Sequence, residues 1–495
     1  MWCKQKYITV ATLLLWSCSL FAQHIKVFAP APVLPLPSNA QVKWHEMELN
    51  AFIHFTTNTF TGLEWGYGDE KETVFNPRAL NVNQWANTLK QSGFKTIILT
   101  CKHHDGFCLW PGKYTEHSVK NSPYKNARPN GPSGRGKGDI VKEVSDACKK
   151  YGLKFGVYLS PWDRNRADYG KPSYITYYRN QLKELFTRYG PITEMWFDGA
   201  NGGDGYYGGA KEKRQINGAT YYDWPGTIKM VQAMQPNVIF FSDAGPGVRW
   251  VGNEKGIAGT TNWNTINIDT LYAGKAGIEE LLNTGAEDGN KWVPAEVDVS
   301  IRPGWFYHEQ EDSLVKSPQQ LFDIYLSSVG RGSTLLLNIP PDKRGLFHEN
   351  DVKSLLGFKA IIEKEFAKNL ALKANITADS YRGNKNIFSP KNLVDGDKET
   401  YWATDDSIHA GSFEISLPVA SVVKYIVLQE YIKLGQRIKK FSADVWKDGA
   451  WYKVSEGTTI GYKKILKIEP VLTKKIRVNI IQSKACPVIS NAAIY

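Results

Sequence analysis

The sequence predicts an α/β chain in which a (β/α)8-type barrel is followed by an all-β sandwich of jelly-roll type. Three observations carry that prediction. From about residue 48, short β-rich runs alternate with longer amphipathic stretches, the pattern of parallel strands joined by crossover helices. Strand candidates at residues 51–55, 95–100, 154–159, 194–197, 238–242, 259–263, 297–301 and 334–338 make up the eight that a closed barrel needs, with one or two helices degenerate. After a last helical stretch at 351–367 the period changes to short alternating segments at 412–417, 422–429, 441–446, 451–456, 464–468 and 475–480, separated by turns such as Asp395-Gly396-Asp397. No glycine-rich phosphate fingerprint follows the first strand, which argues against a doubly wound open sheet.

Taken in chain order, the N-terminus comes first. Lys4 and Lys6 precede the apolar run from Ile8 to Leu15, and small residues lead to a cut after Gln23, the order of a secretory signal. Residues 1–23 are therefore expected to be removed and the mature chain exported, to a periplasm or beyond the cell. Leu15-Trp16-Ser17-Cys18 loosely resembles a lipoprotein cleavage box, which offers a lipid tether at Cys18 as the alternative. No later stretch has the roughly twenty apolar residues of a membrane helix. Processing leaves Cys101, Cys108, Cys148 and Cys486, too few for a disulfide framework and expected as buried thiols.

The barrel is assigned residues 24–370 and the sandwich residues 371–495. With 42% hydrophobic and 22% charged residues, the chain is neither disordered nor fibrous. Sixteen Trp, 25 Tyr and 21 Phe suit a large core and equally suit ring faces that grip sugars. The net charge of +12 falls in short pairs such as Lys439-Lys440 and Lys474-Lys475 among apolar residues, which reads as a solvated sheet face and not as a nucleic-acid arm.

Barrel enzymes place their chemistry at the C-terminal ends of strands. There the sequence offers His54, Glu64 and Trp65 after strand one, His103 and His104 after strand two, Tyr158 in strand three, and Trp196 with Asp198 at strand four. Strand five brings Asp243 and a loop carrying Arg249 to Glu254; strand seven brings Glu296, Asp298 and then Trp305. Asp198 ends an apolar strand, where a carboxylate is costly unless used or paired. Adjacent histidines on a strand point to opposite faces, so His103 and His104 share a ligand only if the strand breaks there; as neutral rings they both donate to and accept from hydroxyls. A zinc reading would add His54 as third ligand. Glycoside hydrolysis needs two carboxyl groups: Asp198 is the nucleophile candidate, while Glu254, in a glycine-flanked loop, competes with Glu296 for the acid. Arg249 and Lys255 must point away from such an acid, because nearby cations lower its pKa.

These residues sit in motifs: His54-Phe55-Thr56-Thr57-Asn58, Glu64-Trp65-Gly66, His103-His104-Asp105-Gly106-Phe107, Trp196-Phe197-Asp198-Gly199, Arg249-Trp250-Val251-Gly252-Asn253-Glu254, Arg302-Pro303-Gly304-Trp305-Phe306-Tyr307 and Leu335 to Pro340. In this order, across most of residues 40–370, they resemble glycoside hydrolase family 29, the α-L-fucosidases, and within it the subgroup that favours α-1,3 and α-1,4 linkages. Thr56 departs from the glycine usual there, and the 199–222 loop is long. The resemblance implies a retaining exo-hydrolase of fucosylated oligosaccharides or glycoconjugates, with Asp198 as nucleophile, Glu254 as acid and base, and no cofactor required for catalysis. It further implies a fucose pocket lined by His54, Glu64, Trp65, His103, His104, Tyr158, Trp196 and Trp305. The alternative is a non-catalytic fucose-binding protein using the same pocket. The segment from Asn392 to Trp402 resembles coagulation factor 5/8 type C modules, whose acidic turn at Asp395, Asp397 and Thr400 is read either as a structural calcium site or as an ordinary turn.

Overall fold

The computed structural model describes residues 27–124 and 138–495, so the expected signal segment and Cys18 lie outside the described residues. Eight parallel strands close into a barrel: β1 (Leu49–Ile53), β2 (Thr96–Lys102), β3 (Lys154–Leu159), β4 (Glu194–Trp196), β5 (Ile239–Ser242), β6 (Val248–Trp250), β7 (Ala295–Ser300) and β8 (Thr334–Asn338), with β8 pairing back onto β1. The crossover helices start where the chain supplies caps. Asn81 accepts the Gln84 amide ahead of α1 (Val82–Gln91), and Asp139 accepts the Lys142 amide ahead of α2 (Ile140–Tyr151). Pro172 and Trp224-Pro225 open α3 (Pro172–Arg188) and α4 (Trp224–Met234). Ser317 and Gln320 form a capping box for α5 (Pro318–Ser328), and α6 (Glu349–Glu365) closes the ring.

The sixth strand is not the one expected at 259–263. It is Val248–Trp250, joined to β5 by residues 243–247 with no helix between them. Gly247 makes that short return feasible: a Cβ there would sit 2.6 Å from the Phe240 amide nitrogen. Residues 259–263 instead run as coil along the C-terminal domain, where the Asn262 amide donates to Thr459 Oγ1 at 2.8 Å. Within the long 199–222 loop, Gly202–Gly205 and Glu212–Gln215 pair as a hairpin.

Unusually for a barrel, the interior is largely aromatic: Phe52, Tyr158, Trp196 and Phe241 pack with Ile98, Val248 and Leu336. Trp196 stacks on Phe241 at 3.9 Å between ring centres and on Tyr158 at 5.4 Å. These rings fill the space below the C-terminal rim and give it an apolar floor.

The C-terminal domain contains β9 (Asn375–Ala378), β10 (Trp402–Ala403), β11 (Gly411–Glu430), β12 (Ile438–Lys447), β13 (Ala450–Gly457), β14 (Lys464–Ser483) and β15 (Val488–Ile494). They form an antiparallel sheet in the order β10-β15-β11-β14-β12-β13, with β9 beside β11. The segments expected separately at 412–417 and 422–429 are one strand, as are those at 464–468 and 475–480. Register shifts between Ser416 and Ser421 and between Val423 and Tyr425 bend the β11–β14 pair around its own core instead of ending it. This core contains Trp402, Phe413, Ile426, Phe441 and Val478.

Candidate active site

β2 ends at Lys102, whose ammonium turns outward to Asp163 at 2.9 Å and Gln181 at 3.2 Å in a fully buried pair. The next two residues therefore leave strand geometry, and the His103 and His104 rings lie side by side, 4.1 Å between centres. His54, at the end of β1, stands 5.4 Å from His103. The turn after β1 is tied to this break: Thr56 and Thr57 hydroxyls donate to the buried Asp105 carboxylate at 2.6 and 2.9 Å, and the Phe107 amide donates to its other oxygen. Thr56, the departure from the usual glycine, thus has a partner. Burial, reinforced by Glu70, pushes the Asp105 carboxyl up to about 6.

Asp198 follows β4. Its Oδ2 accepts the Tyr158 hydroxyl at 2.8 Å and its Oδ1 the Ala200 amide at 2.7 Å, with His104 Nε2 3.8 Å away. Gly199 leaves room here for the Asp243 carboxylate, which a Cβ would force to shift. That carboxyl, pushed up to about 6 first by burial and then by the Asp198 charge, also takes the Gly274 amide at 2.7 Å.

Burial holds all three histidines neutral, with His54 pushed down to about 3, His104 to about 4 and His103 well below the usual range. Their tautomers are set by their partners. Asn338 donates its amide to Ser300 and to the Trp305 carbonyl, so its oxygen accepts His54 Nδ1–H at 2.9 Å. Ser160 donates to the Trp162 carbonyl at 2.6 Å, so its oxygen accepts His104 Nδ1–H at 2.7 Å. Both Nε2 atoms are then lone-pair acceptors. His103 Nδ1 is buried with no hydrogen-bond partner among the described residues.

Glu254 follows β6. Gly252 bends the chain there, at φ 84°, in a spot where a Cβ would run into the Glu279 carbonyl. The Glu254 carboxyl is raised above the ordinary carboxylate value by enclosure; the Trp305 indole, donating to Oε2 at 3.2 Å, pulls it down, and the Asp198 and Glu64 charges push it up. Neither Arg249 nor Lys255 is among the groups acting on it. Arg249 is buried and donates outward, to the carbonyls of Leu282 at 2.8 Å and Trp263 at 2.9 Å. Glu296, the competing acid, is buried inside the barrel, where it accepts Trp196 Nε1 at 3.1 Å. Asp298, two residues on, accepts Trp250 Nε1 at 2.9 Å; its carboxyl is pushed well up by burial and by Glu254.

Glu64 reaches across the rim. It accepts the Trp305 amide at 2.8 Å, the Phe306 amide at 3.3 Å and His308 Nε2 at 2.5 Å, latching the loop after β7. Trp65 is 52% exposed and meets His104 and Trp162 edge-on. Ring contacts and hydrogen bonds link His54, Glu64, Trp65, His103, His104, Tyr158, Trp196, Asp198, Glu254 and Trp305 into one cluster, whereas Glu296 lies buried beneath Trp196 and Arg249 turns away from the cluster. Sequence reasoning missed Ser160, Asn338 and His308, which orient the histidines and the loop. Asn338 and Ser160 both stand at barrel-strand ends, which was the available signal.

Among the described residues no group of three or more His, Cys, Asp or Glu is placed to hold a metal ion. In the C-terminal turn, Asp395 accepts the Asp397 amide at 2.8 Å and the Thr400 hydroxyl at 2.7 Å, and Asp397 accepts the Glu399 amide at 2.9 Å, so the turn is closed by its own donors. Cys101, Cys108, Cys148 and Cys486 are free and buried. Among the described residues no helix is long and apolar enough to cross a membrane.

Residues 33–364 match the alpha-L-fucosidase family model, and residues 375–492 match the F5/8 type C domain. The chain is 40% identical over 486 residues to Alpha-L-fucosidase 1 of Arabidopsis thaliana, covering 97% of this chain and 90% of that protein. A glycoside hydrolase 29 family member from an unknown rumen bacterium superposes with TM-score 0.83 at 43% identity, over 94% of this chain and 78% of that one. A Ruminococcus gnavus GH29 fucosidase in complex with fucose does so with TM-score 0.83 at 32% identity, over 96% and 97%. With a closed barrel whose rim gathers two carboxyl groups and three neutral histidines over an aromatic floor, the chain belongs to the alpha-L-fucosidases of glycoside hydrolase family 29 and carries an F5/8 type C domain at its C-terminal end.

Proposed function

We propose that the chain is a retaining exo-α-L-fucosidase that releases terminal α-1,3- or α-1,4-linked L-fucose from oligosaccharides or glycoconjugates. The observation that supports the retaining reading is the convergence of two carboxyl groups on one set of rings: Tyr158, which meets His54, donates to Asp198, and Trp305, which also meets His54, donates to Glu254. Asp198, held by Tyr158 and Ala200 with a lone pair free on each oxygen, attacks the anomeric carbon. Burial keeps the Tyr158 hydroxyl protonated, so it remains a donor throughout. Glu254, raised in part by the Asp198 charge, gives its proton to the leaving oxygen. Once Asp198 is esterified its charge is gone, that upward push disappears, and Glu254 becomes the better base to activate water. The two carboxyls of such an enzyme work about 5–5.5 Å apart. The lone pairs of His54 and His104 accept sugar hydroxyls, and Trp196 and Trp305 meet the apolar C6 edge.

Asp198→Asn should lower kcat for an aryl α-L-fucoside by about 10³-fold or more, and residual turnover within tenfold of the wild type would remove Asp198 from the reaction. NMR of the first-formed sugar should show the α-anomer; β-L-fucose would exclude retention. A panel of branched Lewis-type and simple 2-linked fucosides tests the linkage. We propose further that catalysis requires no metal or other cofactor, so EDTA should leave activity unchanged; a melting temperature lowered by EDTA would assign a structural calcium to the turn at Asp395, Asp397 and Thr400, and an unchanged one would leave it an ordinary turn. Export, with cleavage after Gln23 or lipid on Cys18, is read from the sequence, and N-terminal mass spectrometry of the mature chain distinguishes the two.

A further inference from the structure

At a spacing of two, β4 sends Glu194 and Trp196 inward with Asp198 just beyond its end, and β7 sends Glu296, Asp298 and Ser300. The lowest layer is a pair of carboxyl groups, Glu194 and Glu296, both fully buried and within hydrogen-bonding reach of each other. Two indoles donate into this pair from opposite ends: Trp44 Nε1 to Glu194 Oε2 at 3.0 Å and Trp196 Nε1 to Glu296 Oε1 at 3.1 Å, with the Thr334 hydroxyl 3.5 Å from Glu296 Oε2. Glu194 Oε1 has no donor from any other described residue. Two bare carboxylates cannot share such a site, because no cation among the described residues features among the main groups acting on them and burial penalises each charge. One proton between them supplies the missing donor and removes one charge.

We propose that Glu194 and Glu296 share one proton, and that this acid pair is a positioning device that fixes the plane of Trp196 as the floor of the sugar pocket. The inference rests on the reading that Trp196 lines the fucose pocket. Trp196 stands two residues before Asp198 and is clamped between Phe241 and Tyr158, the latter holding Asp198. A tilt of the indole would therefore reach the sugar and the Asp198 support together. Neither glutamate touches substrate in this arrangement; they act through the indole.

Among the described residues, Asp298 from β7 is a further titratable group that acts with Glu296, and the donors to the pair are Trp44 from the short helix Asn39–His45, Trp196, and Thr334 from β8. The experiment has two arms. In infrared difference spectra at pH 7, wild type minus Glu194→Gln/Glu296→Gln should show the C=O band of a protonated carboxyl, sensitive to H/D exchange, which Asp298→Asn leaves in place; its absence overturns the shared proton while leaving the fucosidase reading intact. In steady-state kinetics, Glu296→Gln, which keeps the acceptor for Trp196 and brings its own donor, should hold kcat/KM within about 5-fold of wild type. Glu296→Leu, which removes the acceptor, should lower kcat/KM by about 20-fold, with the loss in KM and in the affinity for L-fucose. Equal behaviour of the Gln and Leu variants overturns the positioning role. If the Leu variant does not fold, the infrared band and the Gln variant still decide, since a 20-fold loss in Glu296→Gln is itself contrary to the proposal.

Discussion

The imidazoles of His54 and His104 carry their proton on Nδ1 because Asn338 and Ser160 have each committed their own donor elsewhere. A charged imidazolium has no place here, and burial keeps both rings neutral at any working pH. Their C2-proton NMR signals are expected not to titrate between pH 5 and 8; a midpoint above 6 for either would contradict the burial argument. A folded-state pKa below the unfolded one contributes stability that is full above the unfolded value near 6.5 and is lost as the pH falls towards about 3 or 4. Glu254 is tuned more finely. Trp305→Phe removes the indole donor that lowers its pKa. The alkaline limb of kcat/KM, which reports loss of the acid's proton, should move up by roughly half to one pH unit. A limb that stays or moves down would detach Glu254 from that limb.

At the scale of elements, the loop after β7 owes its position to one side chain. Glu64 holds it through two amides and His308, and the same loop presents Trp305 to the pocket. Glu64→Ala should raise KM about tenfold and lower stability by roughly 1–3 kcal/mol through the orphaned donors. Amide exchange at residues 304–308 should quicken correspondingly, and unchanged exchange would show that the loop stands unaided. The barrel strands were legible where an apolar run was followed by an amphipathic helix, as at β2 with α2. β6 was not. It is three residues long, has a buried Arg249 at its centre and follows β5 with no helix, so no period marks it. The long β11 was read as two strands because the exposed Val419 and its neighbours resemble a turn, whereas paired backbone carries the chain through the bulge.

The two domains share packing across the whole molecule. Tyr425, Val427 and Ile465 of the sandwich belong to the same apolar cluster as the barrel helices, and Phe366 meets both Tyr425 and Tyr495 at 5.1 Å. Gln436 seals the polar part of the seam: its oxygen accepts the Asn264 amide at 2.8 Å and the Asn264 side chain at 2.9 Å, and its nitrogen donates to the Asn262 carbonyl at 3.0 Å. Gln436→Ala should cost about 2–3 kcal/mol in urea unfolding, since buried polar groups lose their partners, with kcat/KM unchanged. A chain ending at residue 370 should be insoluble or aggregate, because it bares the apolar face of α5 and α6; a soluble monomeric truncation would show that this face does not need its cover.

What the sequence determined by itself is local: periods, caps and the residues standing at strand ends, including Asp198, the adjacent histidines and the glycine-flanked Glu254. Each follows from neighbours a few positions away. What only the tertiary structure decided is which of those groups face one another. Arg249 points away from Glu254, Glu296 lies beneath Trp196, Asn338 and Ser160 choose the tautomers, and Glu64 reaches a loop more than two hundred residues distant. Closing a barrel fixes these relations, because it brings β8 against β1 and stacks inward residues of distant strands in layers that no local pattern records.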